Sequence, residues 1–336
     1  MTRDRVARFV VPAGVDDPDR VSGGNVYDLR LRDGLAELGW ELAMSEAPDA
    51  DAVAVALDAV PRHGTVLVDG LVAAWHPRAV EAAASRARVV VLAHMVSSAF
   101  AGADAAHVEG ERQSLGHATH VITTSNWTAT ELVRRGLVER RRVTVAIPGS
   151  IDGPLARGGV GELLSVGVVA RHKGQDLLLD ALGGLRDLPW NCTIAGSREV
   201  DPEFADRIHA QAATLAPRVR MTGVLDSRGL VDAYRRSGLL IAPSRTESFG
   251  MAIADARRRG LPVIAAAVGG IPEAVVGGGA LLVEPDDADA LGAALRAWLT
   301  DPVLRARLRA EAGRARHGAP RWADTVARVG SLLEAA

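Results

Sequence analysis

Short β-branched runs alternate with Ala-rich amphipathic segments along the whole chain, and this alternation constrains the fold more than any other feature. In the first half, strands are predicted at Val6–Val11, Thr65–Val68, Arg88–Ala93, Val121–Thr124 and Val143–Ile147. Helices are predicted between them at Val26–Leu38, Pro77–Ser85, Val108–Leu115 and Trp127–Arg135. The strands are nearly continuous in Val, Ile and Leu, the pattern of parallel strands buried on both faces. Residues 149–161, GSIDGPLARGGVG, hold five glycines and one proline and mark a linker. The alternation then restarts. Strands are predicted at Leu163–Val166, Cys192–Ala195, Val219–Thr222, Leu239–Ala242, Val263–Ala265 and Ala280–Val283. Helices are predicted at Gln175–Leu185, Glu203–Leu215, Leu230–Arg236, Phe249–Arg259 and Asp289–Leu299, with a helical tail over 302–334 that breaks near Gly318-Ala319-Pro320. Two consecutive βα series of similar size predict an α/β protein of two doubly wound domains facing across a cleft. The expected boundaries are 1–150, a linker at 151–161, 162–317, and a last helix at 318–336. A length of 336 residues fits two domains.

Composition removes several function classes. With 39 basic and 41 acidic residues the formal net charge is −2, and the 12 aromatic residues are too few for base-stacking platforms. Nucleic-acid binding is therefore not expected. The single Cys192 forbids an internal disulfide and a Cys-based zinc site, as in a reducing cytosol. The apolar run Val89–Val96 is too short to span a bilayer and contains His94. Arg3, Asp4, Arg5 and Arg8 interrupt any apolar core of a signal peptide. A cytoplasmic protein without an integral membrane segment is expected; the sequence is silent on oligomeric state. One lysine, Lys173, stands among 38 arginines, where this composition would ordinarily supply arginine.

In doubly wound sheets ligands bind at the carboxyl ends of strands, and several residue groups fall there. Ser22-Gly23-Gly24-Asn25 opens the first helix, where glycines let backbone N–H groups approach an anion; a tight turn with an N-cap explains it equally well. It is not the GxGxxG fingerprint of a dinucleotide site. His94 ends a buried strand; a histidine satisfied at a strand end is the bland explanation. Arg171-His172-Lys173-Gly174 follows a strand and opens a helix, a concentrated positive site suited to a diphosphate leaving group, against the bland reading of a solvated basic turn. Ser244–Gly250 follows the strand Leu239–Ala242. Glu247 lies just before a helix start, and Asp255 eight residues on could line the same strip of the cleft; a capping Glu and an ordinary helix polar residue would look the same. Gly269-Gly270-Ile271-Pro272-Glu273 follows the next strand.

At these residues the sequence resembles retaining glycosyltransferase family 4, whose GT-B fold has two Rossmann-like domains. The likeness covers nearly the whole chain and is strongest over 162–285. The stretch APSRTESFGMAIADARRRGLPVIAAAVGGIPEAV, from Ala242 to Val275, looks like that family's donor-binding signature, and its combination with Lys173-Gly174 and Gly23-Gly24 in this order is specific. The resemblance implies that Gly23 and Gly24 face the donor phosphates and that His94 lies near the transferring sugar. It also implies that Glu111 matches a family glutamate and that Lys173 binds the donor diphosphate. Glu247 would contact the sugar, the amides of Phe249, Gly250 and Met251 would meet sugar and phosphate, and Asp255 would hold the ribose. Base recognition would fall near Gly223 and Ser197. Trp322 resembles a family tryptophan on the segment returning to the first domain. The chain departs from the pattern at two points: Asp255 stands where the family has glutamate, and Val168 follows Gly167 where the family often has arginine, with Arg171 available to replace that charge.

The implied function is transfer of a sugar from a nucleoside diphosphate sugar to an unidentified small-molecule or glycan acceptor, with retention and without a metal or other cofactor. A nucleotide-sugar-binding protein of the same fold with little or no transferase activity stays open, as do a sugar-nucleotide epimerase and a phosphorylase. A nicotinamide oxidoreductase would need a glycine fingerprint that PAGVDDPDRVSGG does not supply.

Overall fold

The computed structural model describes residues 5–100 and 102–335; Arg3 and Asp4, used above against a signal peptide, lie outside them. The chain divides into two compact units. The first comprises residues up to Asp16, Gly24–Pro148 and Arg321 onward; the second comprises Asp17–Gly23 and Gly149–Pro320.

The first unit is built on strands β1 (Val6–Pro12), β2 (Glu41–Ala47), β3 (Thr65–Asp69), β4 (Arg88–Ala93), β5 (His120–Thr123) and β6 (Val143–Val145). They form one parallel sheet in the order β2-β1-β3-β4-β5-β6. Side chains alternate between two apolar layers, as period-2 geometry requires. Val10, Val66, Val68, Val89 and Val91 enter one core, and Phe9, Val11, Leu67, Val90 and Leu92 enter the other. The helix Trp322–Glu334 completes the second core with Val326, Val329 and Leu333 against Leu31 and Leu35. Gly34 gives this helix room, because a Cβ there would collide with Val326. Thr325 also donates to the Ile147 carbonyl at 2.6 Å.

The second unit has β7 (Glu162–Val166), β8 (Asn191–Ala195), β9 (Val219–Gly223), β10 (Leu239–Ala242), β11 (Val263–Ala266) and β12 (Ala280–Val283). They too are all parallel, in the order β12-β11-β10-β7-β8-β9. Trp298 is fully buried in its core, and its ring N–H donates to Val160 at 2.9 Å.

Each half is an open parallel sheet with a point where strand order reverses, and the α/β class follows directly. Three elements of the first unit, one strand and two α-helices, depart from the sequence expectation. Strand β2, ELAMSEA, was not expected: it is an edge strand in which only Ala47 is buried, so it lacks an apolar run. The helix Ala50–Asp58 is written in alternating Ala and Val, and its start is set by Asp49, which accepts from Ala52 N. The six-residue helix Gly70–Trp75 is too short to show a period. Residues 17–23, expected within the first domain, group with the second unit, where Ser197 Oγ donates to the Asp19 carbonyl at 2.7 Å. Among the described residues no helix is long and apolar enough to cross a membrane.

Candidate active site

In the second unit the order reverses between β7 and β10, so the loops after these two strands diverge from one crevice at their carboxyl ends. The loop after β7 ends in a 3₁₀ turn, Arg171–Lys173, followed by Gly174. Gly174 has φ +69°, and a Cβ there would run into the Pro243 carbonyl of the β10 loop, so both conformation and space demand glycine. The two loops are then tied by Arg245 N and Thr246 N, which donate to the His172 carbonyl at 2.8 and 3.3 Å. Arg245 adds a two-pronged pair with Asp176 and a bond to Asp286.

This frame brings Lys173 and Glu247, 74 residues apart, to 2.6 Å. The pair is only partly covered, at 23% and 16% side-chain exposure, so both charges stay within reach of a ligand. Burial, aided by the Lys173 charge, pushes the His172 imidazole down to about 4 against the opposing pull of Glu247 and Asp201, which keeps it neutral near pH 7. Glu247 is fixed from behind by Gly270, whose N–H donates to its carbonyl at 2.9 Å. Gly269, at φ +59°, must also be glycine: a Cβ would overlap that same carbonyl.

Gly250 has φ +100° and caps the helix Met251–Arg258 without a side-chain hydrogen bond. The first amides of that helix therefore form an uncapped positive end near Glu247 in the chain. Phe249 is a buried core side chain, so only its backbone can serve a ligand. Met251 lies against Gly23, its Sδ 3.6 Å from where a Cβ would stand. Gly223 ends β9 at φ +69° with open space above its Cα, and Ser197 is buried.

Two residues of the expected set have other company here. Arg171 has its Nε 3.8 Å from Asp201, and its guanidinium stands 6.0 Å from the Phe204 ring centroid. A 3₁₀ turn advances about 120° per residue, so positions two apart point in different directions. Asp255 is buried, and its Oδ1 accepts from Ile151 N of the linker at 2.7 Å. Val168 is buried, its carbonyl bonded to Gln175.

In the first unit the reversal falls between β1 and β3. Here His94, just past β4, meets two carboxylates that the sequence did not single out. Its Nε2 is 2.8 Å from Asp28 Oδ1 and 3.4 Å from Asp69 Oδ2. Asp28 comes from the first helix, Gly23–Glu37, and Asp69 closes β3. Asp69 also caps the helix Gly70–Trp75, accepting from Leu71 N and Val72 N. Both acids are almost fully buried. Burial, reinforced by the Asp28 charge and opposed by His94 and the two amides, pushes Asp69 up to about 7. Burial also raises Asp28, against the lowering pull of His94. Burial alone would favour neutral His94, but the two carboxylates outweigh it and hold its pKa above the usual value. The three groups are close enough that the ionisation of each bears on the other two.

Tyr27 fixes the His94 ring from the side, edge-on at 5.2 Å between centroids. Its hydroxyl donates to Ala146, and its other flank meets Trp322 at 5.4 Å. Gly24 lies against the ring, since a Cβ there would stand 3.4 Å from His94 Cδ2. Glu111 is buried and accepts from Ser97 N and Ser97 Oγ, bracing the loop after β4. Among the described residues, Asp28, Asp69 and His94 are also the group whose ligand atoms converge, within 4.8 Å of one another, as a bound cation would require.

With these two arrangements in view, the comparison with known proteins falls into place. Residues 153–315 match the family described as glycosyl transferases group 1. The matched segment contains the Lys173–Glu247 pair and the Gly250 helix start.

The chain is 34% identical over 235 residues to D-inositol 3-phosphate glycosyltransferase of Streptomyces avermitilis, covering 62% of this chain and 50% of that protein. It is 31% identical over 258 residues to the protein of the same name from Mycolicibacterium smegmatis, covering 70% and 58%. The chain therefore spans little more than half the length of these relatives. Sucrose-phosphate synthase from Thermosynechococcus elongatus superposes with TM-score 0.83 at 20% identity, covering 98% of each chain. Anabaena Alr3699/HepE in complex with UDP-glucose superposes with TM-score 0.78 at 16% identity, covering 98% of this chain and 100% of that one. The fold of this chain is accordingly GT-B.

Proposed function

We propose that the chain is a family 4 retaining glycosyltransferase that moves a sugar from a nucleoside diphosphate sugar to a small-molecule or glycan acceptor, in the cytoplasm and without a metal. The observation that carries this reading is the Lys173–Glu247 pair at the strand-order reversal of a group 1 domain, beside an uncapped helix start at Gly250. An ammonium and a row of backbone N–H groups suit a diphosphate whose charge grows as the glycosidic bond breaks. Lys173 is the cation in this role; Arg171 could join it only by leaving Asp201. Glu247 orients the sugar hydroxyls and keeps the lysine in place before the donor arrives. In the transfer step the acceptor hydroxyl oxygen bonds to the anomeric carbon as the bond to the diphosphate oxygen breaks. That oxygen then takes the acceptor proton, so no strong protein base is required. His94, held by Asp28 and Asp69, positions the acceptor side of the sugar. A UDP sugar is the donor to try first, because HepE is described with UDP-glucose.

The experiment incubates the purified chain with UDP-glucose and an acceptor panel and determines the anomeric configuration of any glycoside. An α-glycoside supports the reading; a β-glycoside contradicts retention. A nucleotide-sugar-binding protein without transfer is the second reading, favoured by Arg171 turning to Asp201 and by Asp255 holding the linker. Binding of UDP-glucose with neither hydrolysis nor transfer would select it.

A further inference from the structure

The first unit holds a cavity of about 470 Å³ lined in part by the loop after β4, which begins at His94 and Met95. That volume falls within the range of small-molecule sites. Trp75 enters it from the end of the helix Gly70–Trp75, and Met95, Ser97 and Phe100 from the loop after β4. Asp104 and His107 enter from the start of the helix Ala105–His117. The loop is a built wall, because the buried Glu111 holds Ser97 by both its amide and its hydroxyl. Trp75 is 51% exposed, the one tryptophan among the exposed large apolar residues of the described chain, and its ring stands 6.3 Å from that of His107. An indole face left open beside a methionine and a phenylalanine is a stacking surface for a flat apolar body.

The charges point the same way. Among the described lining residues there is neither Lys nor Arg. The helix start that could have met a phosphate is already capped by the Asp104 carboxylate, which accepts from Ala106 N at 3.2 Å. A phosphorylated polyol placed here would meet a carboxylate and find no guanidinium or ammonium. The relatives, by contrast, are named for D-inositol 3-phosphate.

We propose that this cavity receives the body of the acceptor, and that the acceptor is an uncharged alcohol with an aromatic or similarly apolar ring rather than a phosphorylated polyol. The proposal rests on the transferase reading above and names the substrate class for it. Ser97 and His107 supply the few polar contacts that orient the hydroxyl, while Trp75 and Phe100 carry the ring.

The test is equilibrium binding to the full chain, with 2-naphthylmethanol and myo-inositol 1-phosphate as probes and UDP titrated into the same samples. The expected result is saturable binding of the naphthyl alcohol and none of the inositol phosphate. Trp75→Ala should weaken the alcohol about tenfold, while Trp75→Phe, which keeps a stacking face, should bind close to wild type. UDP affinity should be the same in all three proteins and reports that they are folded. No binding of the alcohol, equal binding by Trp75→Ala, or preference for the inositol phosphate overturns the proposal. Loss of UDP binding with the alcohol still bound would instead sink the donor reading alone.

Discussion

Asp69→Asn isolates the protonation of the His94 cluster from its architecture. Asparagine caps helices about as well as aspartate, so the bonds from Leu71 N and Val72 N persist and only the ionisable group is lost. In the folded chain Asp69 titrates near 7, against 3.8 for an ordinary aspartate, because burial disfavours its charge. Between about pH 4 and 7 the native state keeps a proton that the unfolded chain has released, so stability falls as pH rises through that window. Roughly three units at about 1.4 kcal/mol each set a ceiling of about 4 kcal/mol on the cost of ionising Asp69 at pH 8. Part of it is offset because His94 and Asp28 redistribute protons. The His94 contribution has the same sign: its raised pKa gives stability below about pH 6.5 that is lost as pH climbs through the folded value. The variant weakens that contribution by removing one of two carboxylates. The net expectation is that Asp69→Asn is about 2–4 kcal/mol more stable than wild type at pH 8, and that the gain shrinks toward zero at pH 4. Urea midpoints measured from pH 4 to 8, with the slope m checked for constancy, read this directly. A stability difference that does not change with pH, or a variant less stable at pH 8, would refute the reasoning.

Two further outcomes follow, one from each unit. Gly174→Ala puts a Cβ into the Pro243 carbonyl at φ +69°, so it should cost about 2–4 kcal/mol in stability and loosen the loop that carries Lys173, raising the donor KM; unchanged denaturation and KM would contradict the role given to that turn. Transfer should survive prolonged treatment with EDTA, whereas loss of activity restored by a divalent cation would make Asp28, Asp69 and His94 a metal site.

The frame at the carboxyl ends of β7 and β10 was legible because its signals are local. Glycines and charges stood at strand ends, and Lys173, Glu247 and Gly250 could each be named from the residues around them. Their pairing was not legible: Lys173 and Glu247 meet only because β10 inserts beside β7. Nor was the Asp201 carboxylate beside Arg171 legible, since it comes from the loop after a different strand, β8. Asp28 and Asp69 carried a faint signal at most. Asp69 closes the strand TVLVD where ligands usually bind, yet a lone acid before a glycine looks like any helix cap, and Asp28 looks like any polar helix residue. Only the strand-order reversal brings both to His94. The edge strand β2 was hidden because half-exposed strands need no apolar run.

The most direct measurement of the central claim is release of UDP from UDP-glucose by the wild-type chain and by Lys173→Ala, in the presence of acceptor and with folding verified. Removing the ammonium that stabilises the leaving diphosphate should lower kcat by about 10²–10³-fold, equivalent to about 3–4 kcal/mol of transition-state stabilisation, with the thermal midpoint little changed because the Glu247 pair is partly open to solvent. Near-normal turnover by Lys173→Ala would contradict the account.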